Sequence, residues 1–126
     1  MTYDIDTLSV HLNGNQPNGS GATNPPIVQS SGFAYDSPQQ LEDIFHGRDV
    51  GHVYSRISNP TITEFEQRIT LLDEAFSTVA VSSGLSAIFL TVMVLSQAGN
   101  NIVVSNALFG GTRDLFNESI QRLGVD

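Results

Sequence analysis

The sequence predicts an α/β fold, incomplete as it stands, on three observations. Residues 61–126 alternate between helix-period and strand-like apolar patterns. The strand-like runs, Thr78 to Ser82 and Ile102 to Ser105, are short and β-branched, as buried parallel strands are. Residues 1–60 carry few apolar residues at regular spacing and read as an arm that packs on something else. Two strands do not complete a parallel sheet, since each must be covered on its faces and paired at its edges, so the domain is expected to be part of a larger one.

In chain order, Thr7-Leu8-Ser9-Val10-His11 reads as irregular and leads into a loop rich in Asn and Gly, residues 13–21. Pro25-Pro26 favours extended chain before it, and residues 27–33 continue as an extended stretch. Ser37 is a plausible N-cap for a short helix with Pro38 at its first position and Leu41, Ile44 and Phe45 along it. Thr61 and Glu64 form a capping box, with Asn59 an alternative cap. Ile62, Phe65, Ile69 and Leu72 then share one helical face. Ser83-Gly84 opens a second helix, about 85–98, apolar nearly all round and therefore expected to be buried. Gly99-Asn100-Asn101 stops it. A third helix carries Leu115, Phe116, Ile120 and Leu123 and ends at Gly124, and Val125-Asp126 looks like the start of another strand.

Composition narrows the functions. The formal net charge is −8, which repels phosphate backbones and argues against a nucleic-acid partner. There is no cysteine, which removes disulfides and thiolate chemistry and suits a cytoplasmic setting. The start carries Asp4 and Asp6 without a basic residue, unlike a signal peptide, and the apolar run Ala87 to Leu95 is too short to span a bilayer, so no membrane role is expected. All five basic residues are arginine; there is no lysine. His11, His46 and His52 have no metal-ligand spacing. Glu42-Asp43, Asp73-Glu74 and Glu64/Glu66 fall on helices as solvated faces rather than as acid–base groups.

Three stretches remain as candidates for chemistry. Ser82-Ser83-Gly84-Leu85-Ser86-Ala87 joins a strand to a helix, where free amides and the helix dipole favour a phosphate. The plainer alternative is a tight turn that Gly84 permits. Tyr54 and Arg56, two apart in an expected extended segment, point to one side and both donate hydrogen bonds; the alternative is a surface arginine ahead of a helix cap. Leu108-Phe109-Gly110-Gly111-Thr112 follows a strand, where ligands of open α/β sheets bind, and Phe109 is either a stacking platform or core filling.

In this order these stretches resemble the Cys/Met-metabolism pyridoxal-phosphate (PLP) enzymes, a likeness that covers essentially the whole chain. It rests on Thr7-Leu8-Ser9-Val10-His11, on Asn24-Pro25-Pro26-Ile27-Val28-Gln29-Ser30-Ser31, and on Tyr54-Ser55-Arg56-Ile57-Ser58-Asn59-Pro60-Thr61 with Glu66. Ser83-Gly84-Leu85-Ser86-Ala87 and Leu108-Phe109-Gly110-Gly111-Thr112 complete it. The resemblance implies the amino-terminal part of a fold-type-I, aminotransferase-like domain, with residues 1–60 an arm serving a neighbouring subunit's active site and 61–126 the start of the large PLP-binding domain. It implies that Gly84 and Leu85 amides hold the PLP phosphate, that Tyr54 and Arg56 reach it from the adjacent subunit, and that Phe109 stands where most members carry a ring-stacking tyrosine. Phe keeps the stacking and loses the hydroxyl, so proton transfer by that residue is not expected. Within the family, Asn59 to Arg68 and Asp114-Leu115-Phe116 are most similar to O-acetylhomoserine sulfhydrylases, which replace acetate by sulfide to give homocysteine; cystathionine γ-synthases and methionine γ-lyases are the alternatives. The family's catalytic lysine has no counterpart here, so no residue of this chain is expected to be catalytic. A homo-oligomer, a dimer of dimers acting on a small amino-acid substrate, is the implied assembly. A subunit of a split enzyme and a non-catalytic α/β interaction module are the other readings of a lysine-free chain.

Overall fold

The computed structural model describes residues 4–11 and 24–126. They fall into two compact units, one ending at Val79 and the other running from Ala80 to Asp126.

The first unit is built on three helices, α1 (Ile5–Val10), α2 (Pro38–Phe45) and α3 (Pro60–Leu72). Helix α1 lies in a stretch expected to be irregular; Asp4 caps it, its carboxylate accepting from the Ile5 amide at 2.8 Å. It packs on α3, where the Arg68 guanidinium donates to the Ser9 carbonyl at 3.0 Å and to Glu64 at 3.0 Å. A cation at the last turn of a helix also meets the negative end of its dipole. Glu64 is thus an ion-pair partner, not part of a capping box. Helix α2 starts as expected, Ser37 Oγ accepting from the Gln40 amide at 3.1 Å with Pro38 at N1. It ends in a Schellman motif: Arg48 N–H reaches the Asp43 carbonyl, Gly47 N–H reaches Ile44, and Gly47 takes φ 69°. Helix α3 ends the same way, through Ala75 to Thr70 and Glu74 to Leu71, but there the left-handed position is held by Glu74 at φ 49°. Between the helices, residues 28–33 run beside 53–61, with one antiparallel bridge, Gly32 to Tyr54. Among the described residues of this unit, Ile44 is the buried apolar one and Asn59 the buried polar one.

The second unit opens with α4 (Gly84–Leu95), capped by Ser83, whose Oγ accepts from the Ser86 amide at 3.1 Å. The helix stops at Leu95, earlier than expected. Ser96 turns extended with its hydroxyl bound back to the Val92 carbonyl, and a Gln97–Asn100 turn with Gly99 at φ 92° follows. A last helical stretch begins as α5 (Gly110–Asp114), widens to a π-helix over Leu115–Ile120 and tightens to a 3-10 turn over Gln121–Leu123. Gly124 closes it at φ 81°.

Two local expectations, a buried α4 and strands at 78–82 and 102–105, are not met, as the incompleteness of the sheet domain implies. Helix α4 is not buried: Val94 and Leu95 are 83% and 79% exposed among the described residues. Its sequence is apolar on every side, and the second unit covers only part of one. Nor do residues 78–82 or 102–105 form strands, because a strand exists only through a ladder and no neighbour supplies one. The beginning of a parallel pair is present instead at Asn100 to Ile102: the Asp126 amide donates to the Asn100 carbonyl at 3.0 Å and the Ile102 amide donates to the Asp126 carbonyl at 2.6 Å. Beside it Ile120 and Val125 are buried. No helix among the described residues is long and apolar enough to cross a membrane.

Candidate functional site

The start of α4 is the better-formed half of the expected site. At a helix amino terminus the first amides have no intrahelical partner. Ser83 satisfies that of Ser86, while the Gly84 and Leu85 amides have no hydrogen-bond partner among the described residues. Nothing lies within 4 Å of where a Cβ on Gly84 would stand, so the approach to these amides is open. Three hydroxyls gather beside them: Ser83 and Ser86 at 2.9 Å, Ser82 and Ser86 at 3.4 Å. The dipole, the free amides and the hydroxyls together make a donor-rich, cation-like cradle of the kind phosphates occupy.

Phe109 stands at the N-cap position of α5 and is 77% exposed. The ring lies against Gly111, where an added Cβ would come 3.0 Å from Phe109 Cε1 and 3.7 Å from Leu85 Cδ1. Phe109 and the opening turn of α4 are therefore neighbours, joined over a glycine that leaves room for the ring. Gly84, Leu85 and Phe109 form one surface, and Phe109 is not core filling.

Tyr54 and Arg56 belong to the first unit. The expected extended segment is instead bridge and turn: Tyr54 pairs with Gly32, and its carbonyl accepts from the Ile57 amide at 2.8 Å and the Ser58 amide at 3.0 Å. The turn folds Arg56 back over its neighbour, the guanidinium carbon 5.4 Å from the Tyr54 ring centroid. Arg56 is exposed and, unlike Arg48 and Arg68, has no ion pair among the described residues. The Tyr54 hydroxyl likewise has no hydrogen bond among the described residues. Two donors stand side by side with no acceptor among the described residues.

Sequence reasoning passed over the residues that support this turn. The Tyr35 hydroxyl accepts from the His52 amide at 2.9 Å and donates to the His52 carbonyl at 2.8 Å. The His52 ring hydrogen-bonds Ser58 Oγ at 2.9 Å and packs near Phe33, centroids 5.6 Å apart. His52 is thus a structural imidazole. Only Gly51, with no side chain to collide with Tyr35, hinted at this arrangement. Of the other candidates, His11 is exposed, and Glu42 and Asp43 pair with Arg48 at 3.5 and 2.8 Å on the surface of α2.

The sequence profile described as Cys/Met metabolism PLP-dependent enzyme matches residues 6–126. The O-acetyl-L-homoserine sulfhydrylase of Corynebacterium glutamicum is 39% identical over 124 residues, 98% of this chain and 28% of that protein. An L-methionine gamma-lyase of Pseudomonas deceptionensis is 35% identical over 123 residues, 98% of this chain and 31% of that one. The chain thus spans under a third of the length of these curated relatives. Among solved structures, an O-acetylhomoserine (thiol)-lyase of Campylobacter jejuni that carries N'-pyridoxyl-lysine-5'-monophosphate is similar with a TM-score of 0.88 and 27% identity. It is matched over 99% of this chain and 31% of its own. The metB structure of Corynebacterium glutamicum gives 0.86 and 31% identity over 98% of this chain and 30% of its own. Over the length it spans, this chain has the fold of those solved enzymes.

Proposed function

Because this chain belongs to the Cys/Met metabolism PLP-dependent enzyme family, we propose that it forms the phosphate-binding portion of a PLP enzyme that replaces the γ-acetate of O-acetylhomoserine by sulfide. The observation that carries the reading is the pair of partnerless amides at Gly84 and Leu85, open to solvent, ringed by Ser83 and Ser86 hydroxyls and adjoining Phe109. PLP, when bound, supplies the electron sink that lets an amino-acid substrate exchange a γ-substituent.

The residues present fit that group. Gly84 and Leu85 would donate backbone N–H groups to its phosphate, helped by the serine hydroxyls and the dipole of α4. Phe109 would offer a ring face but no proton, so any proton moved beside it must travel through another residue. Arg56, with a planar fork and no competing carboxylate among the described residues, suits a phosphate oxygen pair, and Tyr54 adds a hydroxyl donor. We assign these two to the active site of an adjacent subunit in a homo-oligomer. What supports this is that they lie on a turn with no acceptor among the described residues of its own unit. No side chain here supplies the amine that must hold the cofactor aldehyde, since the chain has no lysine and guanidinium stays protonated at working pH. A cytoplasmic setting suits the cysteine-free composition.

The test is a substrate comparison on the holoenzyme that contains this chain. O-acetylhomoserine with sulfide should yield homocysteine and acetate as the fastest reaction. Faster release of methanethiol from methionine would replace this reading by the γ-lyase one, which the relatives also include.

A further inference from the structure

The motif that carries Tyr54 and Arg56 continues into Asn59-Pro60-Thr61, for which the cofactor offers no use. We infer that Asn59 is a positioning residue: it holds closed the turn that presents Arg56. The inference rests on the reading of Arg56 as a phosphate ligand.

Asn59 is buried, 7% exposed, and its side-chain amide both ties that turn and caps α3. Its Nδ2 donates to the Val28 carbonyl at 3.0 Å and to Ser55 Oγ at 2.9 Å, while its Oδ1 accepts from the Thr61 amide at 2.9 Å as the N-cap of α3. Ser55 passes the tie on: its hydroxyl donates to the Ser30 carbonyl and its amide to the Ser31 carbonyl at 2.9 Å. Thr61 completes the circuit, its Oγ1 accepting from the Val28 amide at 2.9 Å. Pro60 fits the first position of α3, where no amide is needed. Residues 54–58 are therefore pinned at both ends, at Ser55 and at Asn59, to one extended segment, residues 28–31. Arg56 lies between those pins, directly after the first, with Ile57 and Ser58 completing the span. A guanidinium on a four-bond stem loses its aim if the backbone beneath it moves, so the amide sets where the charge stands without touching a ligand.

Asn59→Asp keeps the shape and the cap acceptor but turns a double donor into an acceptor facing a carbonyl and a hydroxyl. In the holoenzyme it should weaken PLP affinity about tenfold, the scale of one or two buried hydrogen bonds, with turnover at saturating PLP nearly unchanged. Ser55→Ala, which removes one tie and leaves the cap intact, should weaken it about threefold and serves if the aspartate variant does not fold. Arg56→Ala is the reference. Because Asn59 acts through Arg56, the double variant should bind PLP no more weakly than Arg56→Ala alone. Full additivity of the two losses overturns the inference, as does a lowered melting temperature with unchanged PLP affinity. If Arg56→Ala itself leaves PLP affinity intact, the phosphate reading of Arg56 fails and takes this inference with it. If Arg56→Ala weakens binding and neither Asn59→Asp nor Ser55→Ala does, only the positioning role falls.

Discussion

At Gly51 a Cβ would come within 2.5 Å of the Tyr35 hydroxyl and 2.7 Å of Ile44 Cδ1. That hydroxyl both gives and takes a hydrogen bond at His52, acting as a one-residue substitute for a strand partner. Gly51→Ala should therefore cost about 1–3 kcal/mol through overpacking, read as a lower melting temperature. Adding Tyr35→Phe removes one of the colliding atoms, so the double variant should lose less than the sum of the single ones. The same scale shows what a sequence can and cannot disclose. Arg56 and Tyr54 were legible as a donor pair because their residue types are informative by themselves. Their turn was not, since Ser55 to Ser58 contains neither Gly nor Pro and its closure depends on Val28 and Ser30, far away in sequence. Asn59 and Thr61 were both sound caps on local grounds. The choice fell to Asn59 because the Thr61 hydroxyl is engaged by the Val28 amide.

The helices were mostly readable, and their ends explain where the reading slipped. Helix α1 had a signal in Asp4, followed by Ile5 and Leu8 one turn apart, but six residues give too little periodicity to set against the loop after it. Helix α3 ends in a Schellman turn whose left-handed residue is Glu74, and no glycine marked the place. A left-handed non-glycine residue costs on the order of 1 kcal/mol, so Glu74→Gly should raise the melting temperature slightly, and a fall would contradict the assigned backbone. Ser83→Ala removes the cap of α4 and should cost about 1 kcal/mol. If the cradle binds phosphate as proposed, it should also weaken PLP affinity, since one hydroxyl of the serine group goes with it. The strand-like runs 78–82 and 102–105 were correctly seen as apolar and β-branched. What turns such a run into a strand is a neighbour's backbone, which composition does not contain.

For the molecule as a whole, the α/β class was legible in the sequence, and the burial read for α4 belongs to a complete domain of which this chain is a part. An all-round apolar helix announces that it is covered, not by what. Leu90, Val94 and Leu95 stand 47%, 83% and 79% exposed, and Val103 98%. The 126-residue polypeptide expressed by itself should bind hydrophobic dyes and self-associate; a clean monomer in sedimentation with no dye signal would contradict that surface. The proposed subunit crossover has its own signature. Enzyme assembled from Arg56→Ala subunits and Gly84→Val subunits should regain activity that neither homo-oligomer has, because each hybrid pair contains one site with Gly84 from one chain and Arg56 from the other.

The ties that close the Tyr54–Arg56 turn all come from residues 28–61. A loop shaped by its own hydrogen bonds enters an encounter already ordered, so little conformational freedom is surrendered when it meets a partner. Two such subunits would join as preformed bodies, at a speed governed by orientation and by the charge of one guanidinium instead of by coupled folding. Loosening the turn would slow that joining before it altered any chemistry.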